Sequence, residues 1–194
     1  MSAFEAKDTL ENMYELCDAI DELPFGLAKD NERGMTLRKA LYLETMKFCM
    51  YLSASDGSVS YREAQYLGDL FDATLSPSDV TEIIEENNIY STSFEKNVPI
   101  TLQYLVKADN AVIAYGKSNG KLSSSVFVEF FEAVGKDFCM CDGFGGNERE
   151  DLSIYLGTLK DYIRENLDDD RIFAKNSSFH DNSLKSKYQI LKKK

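Results

Sequence analysis

The segment Phe48 to Phe71, FCMYLSASDGSVSYREAQYLGDLF, decides the fold, because it reads as a helix, a tight Asp-Gly turn and a second helix. Phe48, Cys49, Tyr51 and Leu52 form an apolar run that stops at Asp56-Gly57; Ala64, Leu67 and Phe71 then recur at the three-and-four spacing of one helix face. Glycine at such a corner adopts backbone angles that a side chain disfavours, so the chain can reverse there. A looser copy, Phe138 to Leu159 (FCMCDGFGGNEREDLSIYLGTL), places Asp142-Gly143 after Phe138 to Cys141 and resumes with Leu152, Tyr155 and Leu159 at the same spacing. Two helical hairpins with an Asp-Gly elbow in common read as a duplicated unit.

Outward from these hairpins the chain continues to read as helix. Leu10, Met13, Tyr14, Cys17 and Ile20 stripe a helix from about Ala6 to Leu23, which Pro24 ends. The polar, glycine-containing stretch Phe25 to Met35 reads as a loop, and Thr36 as the N-cap of a helix from Leu37 to Ser53. Ser60 with Glu63 makes a capping box, and Ser76-Pro77-Ser78-Asp79 starts a helix that Asn87-Asn88 closes. Ile89 to Lys96 reads as a loop, Pro99 opens a helix over Ile100 to Tyr115, and Gly116 to Lys121 is a break. Helices over Val126 to Cys141 and Glu148 to Asn166 follow, the first so rich in Phe and Val that it should be nearly surrounded. Strand alternation bounded by hairpin turns is missing. The pattern therefore predicts an all-α single bundle of about seven or eight helices with two pseudo-repeated helix-turn-helix hairpins.

The run Ala54-Ser55-Asp56-Gly57-Ser58-Val59-Ser60-Tyr61-Arg62-Glu63 resembles the signature of the TerB-like (tellurite-resistance-associated) helical domain, small-x-Asp-Gly-x-aliphatic-Ser-x-x-Glu between apolar helices. Met140 to Glu150 departs from it, lacking the aliphatic residue and running longer, so that Glu148, Glu150 or Asp151 can stand where Glu63 stands. The resemblance covers about Met35 to Asn166. It implies a non-catalytic, cytoplasmic module that binds a protein partner in a metal, tellurite or general stress response, in assemblies associated with the membrane. The chain then divides into an N-terminal helix and loop (1–34), the TerB-like domain (35–167) and a polar, Lys-rich tail (168–194), in which either Leu184, Tyr188 and Leu191 form one short amphipathic helix docking on the acidic body or the tail is disordered.

Charge narrows the partners. With 22 Lys and Arg against 33 Asp and Glu, a formal net charge of -11 argues against a phosphate-backbone binder, leaving cations, basic surfaces or proteins. The 43% apolar content is ample for a core in 194 residues. Neither a signal-peptide pattern nor a run of about 20 apolar residues is present, so the expectation is a soluble intracellular protein without direct membrane insertion. Cys17, Cys49, Cys139 and Cys141 lie in apolar helical stretches without a CxxC pair and read as buried free thiols.

The elbows also carry the chemistry. Asp56-Gly57-Ser58-Val59-Ser60-x-x-Glu63 matches the second half of an EF-hand loop, but the first two ligand positions fall on Leu52 and Ala54, and calcium needs six to eight oxygens. If internal symmetry brings the elbows together, Asp56, Glu63, Asp142 and Glu150, with Glu148 as substitute, can pool into a weak divalent-cation site for calcium or zinc, of the kind the resemblance implies. The opposing reading is that the aspartates cap turns and the glutamates cap helices. A degenerate calcium-responsive sensor and an unrecognised hydrolase are the alternatives. The hydrolase fares worse: His180, the one histidine, sits in the polar tail with no nucleophile nearby, and Gly116 to Leu122 fails the spacing of a phosphate loop.

Overall fold

A computed structural model of the chain describes residues 3–30, 34–55, 57–89, 94–116, 121–143 and 145–168. The described residues are all helical, with one single-turn 3₁₀ segment at Phe94–Lys96 and no strand. Among them no helix is long and apolar enough to cross a membrane. The tail and its short amphipathic helix lie outside the described residues, as do His180 and Asp56.

The helices are α1 (Ala3–Asp21), α2 (Leu27–Asp30), α3 (Leu37–Ala54), α4 (Tyr61–Phe71), α5 (Pro77–Glu86), α6 (Ile100–Ala114), α7 (Ser123–Met140) and α8 (Gly146–Asn166). Local caps set several starts. Thr36 Oγ1 accepts the Lys39 N–H at 3.2 Å, Ser60 and Glu63 close a full capping box, and Ser76 and Asp79 close another at the start of α5.

Other starts are set from a distance, and these depart from the sequence expectation. The stretch read as a loop from Phe25 to Met35 contains α2, because the Asp21 carboxylate at the end of α1 accepts the Ala28 N–H at 3.1 Å and the Leu37 N–H at 2.6 Å. One side chain thus satisfies free amides of two helices. Likewise α7 begins at Ser123 rather than Val126, since Asp109 on α6 accepts the N–H groups of Ser123 and Ser124 at 2.9 and 2.8 Å.

The wide apolar helix is central, as its composition requires: α7 packs against α1, α3, α6 and α8. Its Phe127, Phe130, Phe131 and Phe138 are fully buried, and the first three form a continuous aromatic core with Phe48 and Tyr155. Phe127 stacks on Phe131 at 4.4 Å, Phe48 reaches Phe131 at 4.9 Å, and Tyr155 stacks on Phe48 at 5.1 Å. Each such ring contributes about 1.5–3 kcal/mol by leaving water, more than a typical helix cap at about 1 kcal/mol. Packing therefore holds the bundle, and the caps decide where its helices begin.

Three helices converge at Gly135. A methyl group placed there would lie 2.6 Å from Leu152 Cδ1 on α8 and 2.8 Å from Phe48 Cζ on α3. Glycine is unfavourable inside a helix by about 1 kcal/mol relative to alanine, so its presence follows from this close approach. Gly135→Ala should lower the unfolding free energy by about 1–3 kcal/mol in urea titrations despite the better helix former; a stabilised variant would show that the crossing has slack.

Candidate functional site: the paired elbows

Each hairpin turns on a glycine in a conformation that side chains avoid: φ is +84° at Gly57 and +119° at Gly143. The two turns lie side by side. Asn147 Nδ2 donates to the Ser55 carbonyl at 3.4 Å, the Ser55 hydroxyl donates to Asp151 Oδ2, and Arg62 Nη1 donates to the Cys141 carbonyl at 3.4 Å. Beneath them, Tyr66 donates to Asp137 Oδ2 at 3.1 Å and packs edge-on against Phe138.

The carboxylates of this end have divided duties. Glu63, only 2% exposed, accepts the Ser60 N–H on Oε2 at 2.7 Å, while its own N–H donates to Ser60 Oγ at 3.1 Å. Glu148 is 4% exposed and holds the Gly145 N–H on Oε2 at 2.8 Å, three residues ahead of itself as Glu63 is of Ser60. Glu148 rather than Glu150 thus occupies the place Glu63 has in the first hairpin, and Glu150 is exposed on α8. Asp142 is exposed and makes no hydrogen bond or ion pair among the described residues. Burial pushes the Glu63 carboxyl above its ordinary value. The Ser60 N–H and the Ser53 and Ser60 hydroxyls pull it back, and Asp142 raises it further, so the two hairpins meet electrostatically as well. Ser53 does this without reaching hydrogen-bond geometry. Among the described residues, no three or more His, Cys, Asp or Glu side chains are arranged to hold a metal ion.

Cys49, Cys139 and Cys141 gather behind the elbows, the first two buried and the third half-buried, and all four cysteines are free thiols. Burial is the leading cause of their raised ionisation: Cys17 and Cys141 are each pushed up to about 12, and Cys49 and Cys139 well above the ordinary thiol value. They remain protonated at neutral pH and are poor nucleophiles and metal ligands.

Glu44 and Asp109 escaped the sequence reading, and Asp151 was named there only as a candidate counterpart of Glu63 rather than as a partner of Ser55. Glu44 and Asp109 carry a usable signal, since each sits alone in an apolar helical run (LYLETMKF and LVKADNAVI) where an unpaired charge is costly. Asp151 carries none, because its partner Ser55 is remote in sequence.

Compared with family models, curated proteins and solved structures, the chain matches none of them.

The capping roles have a measurable consequence. Glu63→Ala and Glu148→Ala should each cost about 1–2 kcal/mol in denaturant titrations, unchanged by chelator or added calcium, while Glu63→Gln, which keeps an acceptor oxygen, should cost less than half as much. Rescue of the wild type but not the variants by calcium would instead identify the glutamates as cation ligands.

Proposed function

We propose that the chain is a non-catalytic, TerB-like helical module that binds a partner protein through the end where its two elbows meet. The observation that carries this reading is the pair of exposed apolar side chains at that end. Tyr61, the first residue of α4, is 74% exposed, and Met140, the last of α7, is 70% exposed. The Arg62 contact with Cys141 brings their neighbourhoods together. Exposed aromatic and methionine side chains amid charged ones, here Arg62, Arg149, Asp142 and Glu150, are the composition of protein interfaces. The link to metal, tellurite or general stress comes from the resemblance alone, and the reading of the hairpins as a repeat comes from the sequence pattern alone.

Support for a role without catalysis comes from how the reactive groups are used. The buried carboxylates Glu63, Glu148 and Asp109 hold helix amides, and the thiols are kept protonated. The divalent-cation part of the proposal falls to Asp142, with Asp56 and turn carbonyls. So few ligands support at most a weak site, with a Kd of about 10⁻⁴–10⁻³ M or weaker.

Two measurements test the proposal. Quantitative capture from the native cell should recover a protein that the Tyr61→Ala, Met140→Ala double variant loses by about tenfold or more, while Tyr115→Ala leaves it unchanged. Tyr115 is 80% exposed but lies at the end of α6 that joins the C-terminus of α8, through the Asn110 bond to the Asn166 carbonyl, away from the elbows. Equal capture by all three proteins overturns the assignment of the surface. Calorimetry with calcium should give no transition tighter than about 10⁻⁴ M; micromolar binding would favour a calcium sensor.

A further inference from the structure

About 15 Å along α3 from its elbow, a cavity of ≈ 280 Å³ opens between α3, the N-terminus of α6 and α8. One wall is apolar, built from Ile89, Val98 and the rings of Phe94 and Tyr155, which stack at 5.2 Å. Glu44 and Lys47 enter it from α3, and Asn87 and Asn97 from the connecting segments.

Glu44 holds the start of α6: its Oε1 accepts the Ile100 N–H at 2.6 Å, and both oxygens stand 3.4 Å from the Thr101 nitrogen. No cation pairs with it among the described residues. Lys47, one turn on, is exposed and makes no ion pair among the described residues. Burial dominates the ionisation of Glu44 and pushes it up to about 7, with Thr101, the Ile100 N–H and Lys47 only partly opposing. It is a carboxylate short of a counter-charge.

Tyr155 is the second group. It is 1% exposed and lines the cavity, yet its hydroxyl makes no hydrogen bond among the described residues. Burial first and Glu44 second raise its ionisation, and both residues line the same cavity. Glu44 also acts on Cys17 of α1, whose thiol is pushed up by burial first and Glu44 second and stays neutral.

We propose that this cavity binds a small organic amine, its ammonium group held by the Glu44 carboxylate and the Tyr155 oxygen, its apolar body against the Phe94 ring. An ammonium ion brings the positive charge that the buried carboxylate lacks and donates to lone pairs the α6 amides leave open. A carboxylate ligand would meet like charge, and a neutral one would leave Glu44 unpaired. The chain's net charge of -11 adds a general attraction for cations. Because the ammonium selects ionised Glu44, binding below neutrality expels its proton, and affinity rises with pH until the carboxyl is fully ionised.

The test compares phenethylammonium with its neutral and anionic analogues, 2-phenylethanol and 3-phenylpropionate, by calorimetry and by amide chemical shifts. The amine should bind at roughly millimolar Kd, at least tenfold tighter than either analogue, and move the Ile100 and Thr101 amides. Between pH 6 and pH 8 its affinity should rise about tenfold, and below pH 7 complex formation should release a proton. Glu44→Gln keeps an acceptor for the α6 amides and should cost the amine at least tenfold while leaving 2-phenylethanol unchanged; Tyr155→Phe should cost it several-fold. The inference is overturned if the amine binds no tighter than the alcohol, if the propionate binds best, or if the shifts map away from the start of α6. The wild-type pH profile decides the matter should a variant fail to fold.

Discussion

Among the described residues, every helix after the first starts on a carboxylate. Asp21 serves α2 and α3, Glu63 serves α4, Asp79 serves α5, Glu44 serves α6, Asp109 serves α7 and Glu148 serves α8. The physical reason is that the opening amides of a helix have no partner within it and carry the positive end of its dipole, so an anion placed there satisfies both. Much of the acidity of this chain is thereby structural. The charge first suggests a surface that attracts cations, yet the most buried acids face inward onto backbone.

This allocation shapes what the paired elbows can do. An oxygen engaged by a buried amide is poorly placed to coordinate a metal, and the two glutamates that follow the turns are both engaged. What the elbow end presents outward is instead an apolar pair, Tyr61 and Met140, in a mixed-charge surround. Glu44 differs from the other caps in opening onto a cavity that Tyr155 also lines, which is why the same kind of residue can be structural in one place and a ligand group in another.

The sequence was legible wherever the deciding interaction was local. Helix periodicity located the helices, Ser60 with Glu63 and Ser76 with Asp79 announced their own starts, and the density of Phe in α7 marked it as central. It was illegible wherever a start depended on a residue many positions away. Asp21 reaches across the connection to create α2, and Asp109 draws the start of α7 forward to Ser123, and neither contact leaves a trace in the segment it organises. At the elbows the Asp-Gly turns were apparent, but the register of the second was not, because the inserted glycines hide which glutamate stands three residues beyond the cap. The cavity at Glu44 was invisible for the same reason, being made by segments that meet only in three dimensions.

The remote caps also impose an order of assembly. Neither Pro99 nor Leu122 supplies a side-chain acceptor, so α6 is completed only once α3 offers Glu44, and α7 only once α6 offers Asp109. Nucleating a helix is the costly step, and here that step is deferred until the preceding element is in place. Folding should therefore propagate from α3 through α6 to α7 as a relay, and a fragment severed between α3 and α6 would keep both later helices and Asp109 while losing Glu44, the first trigger of the relay.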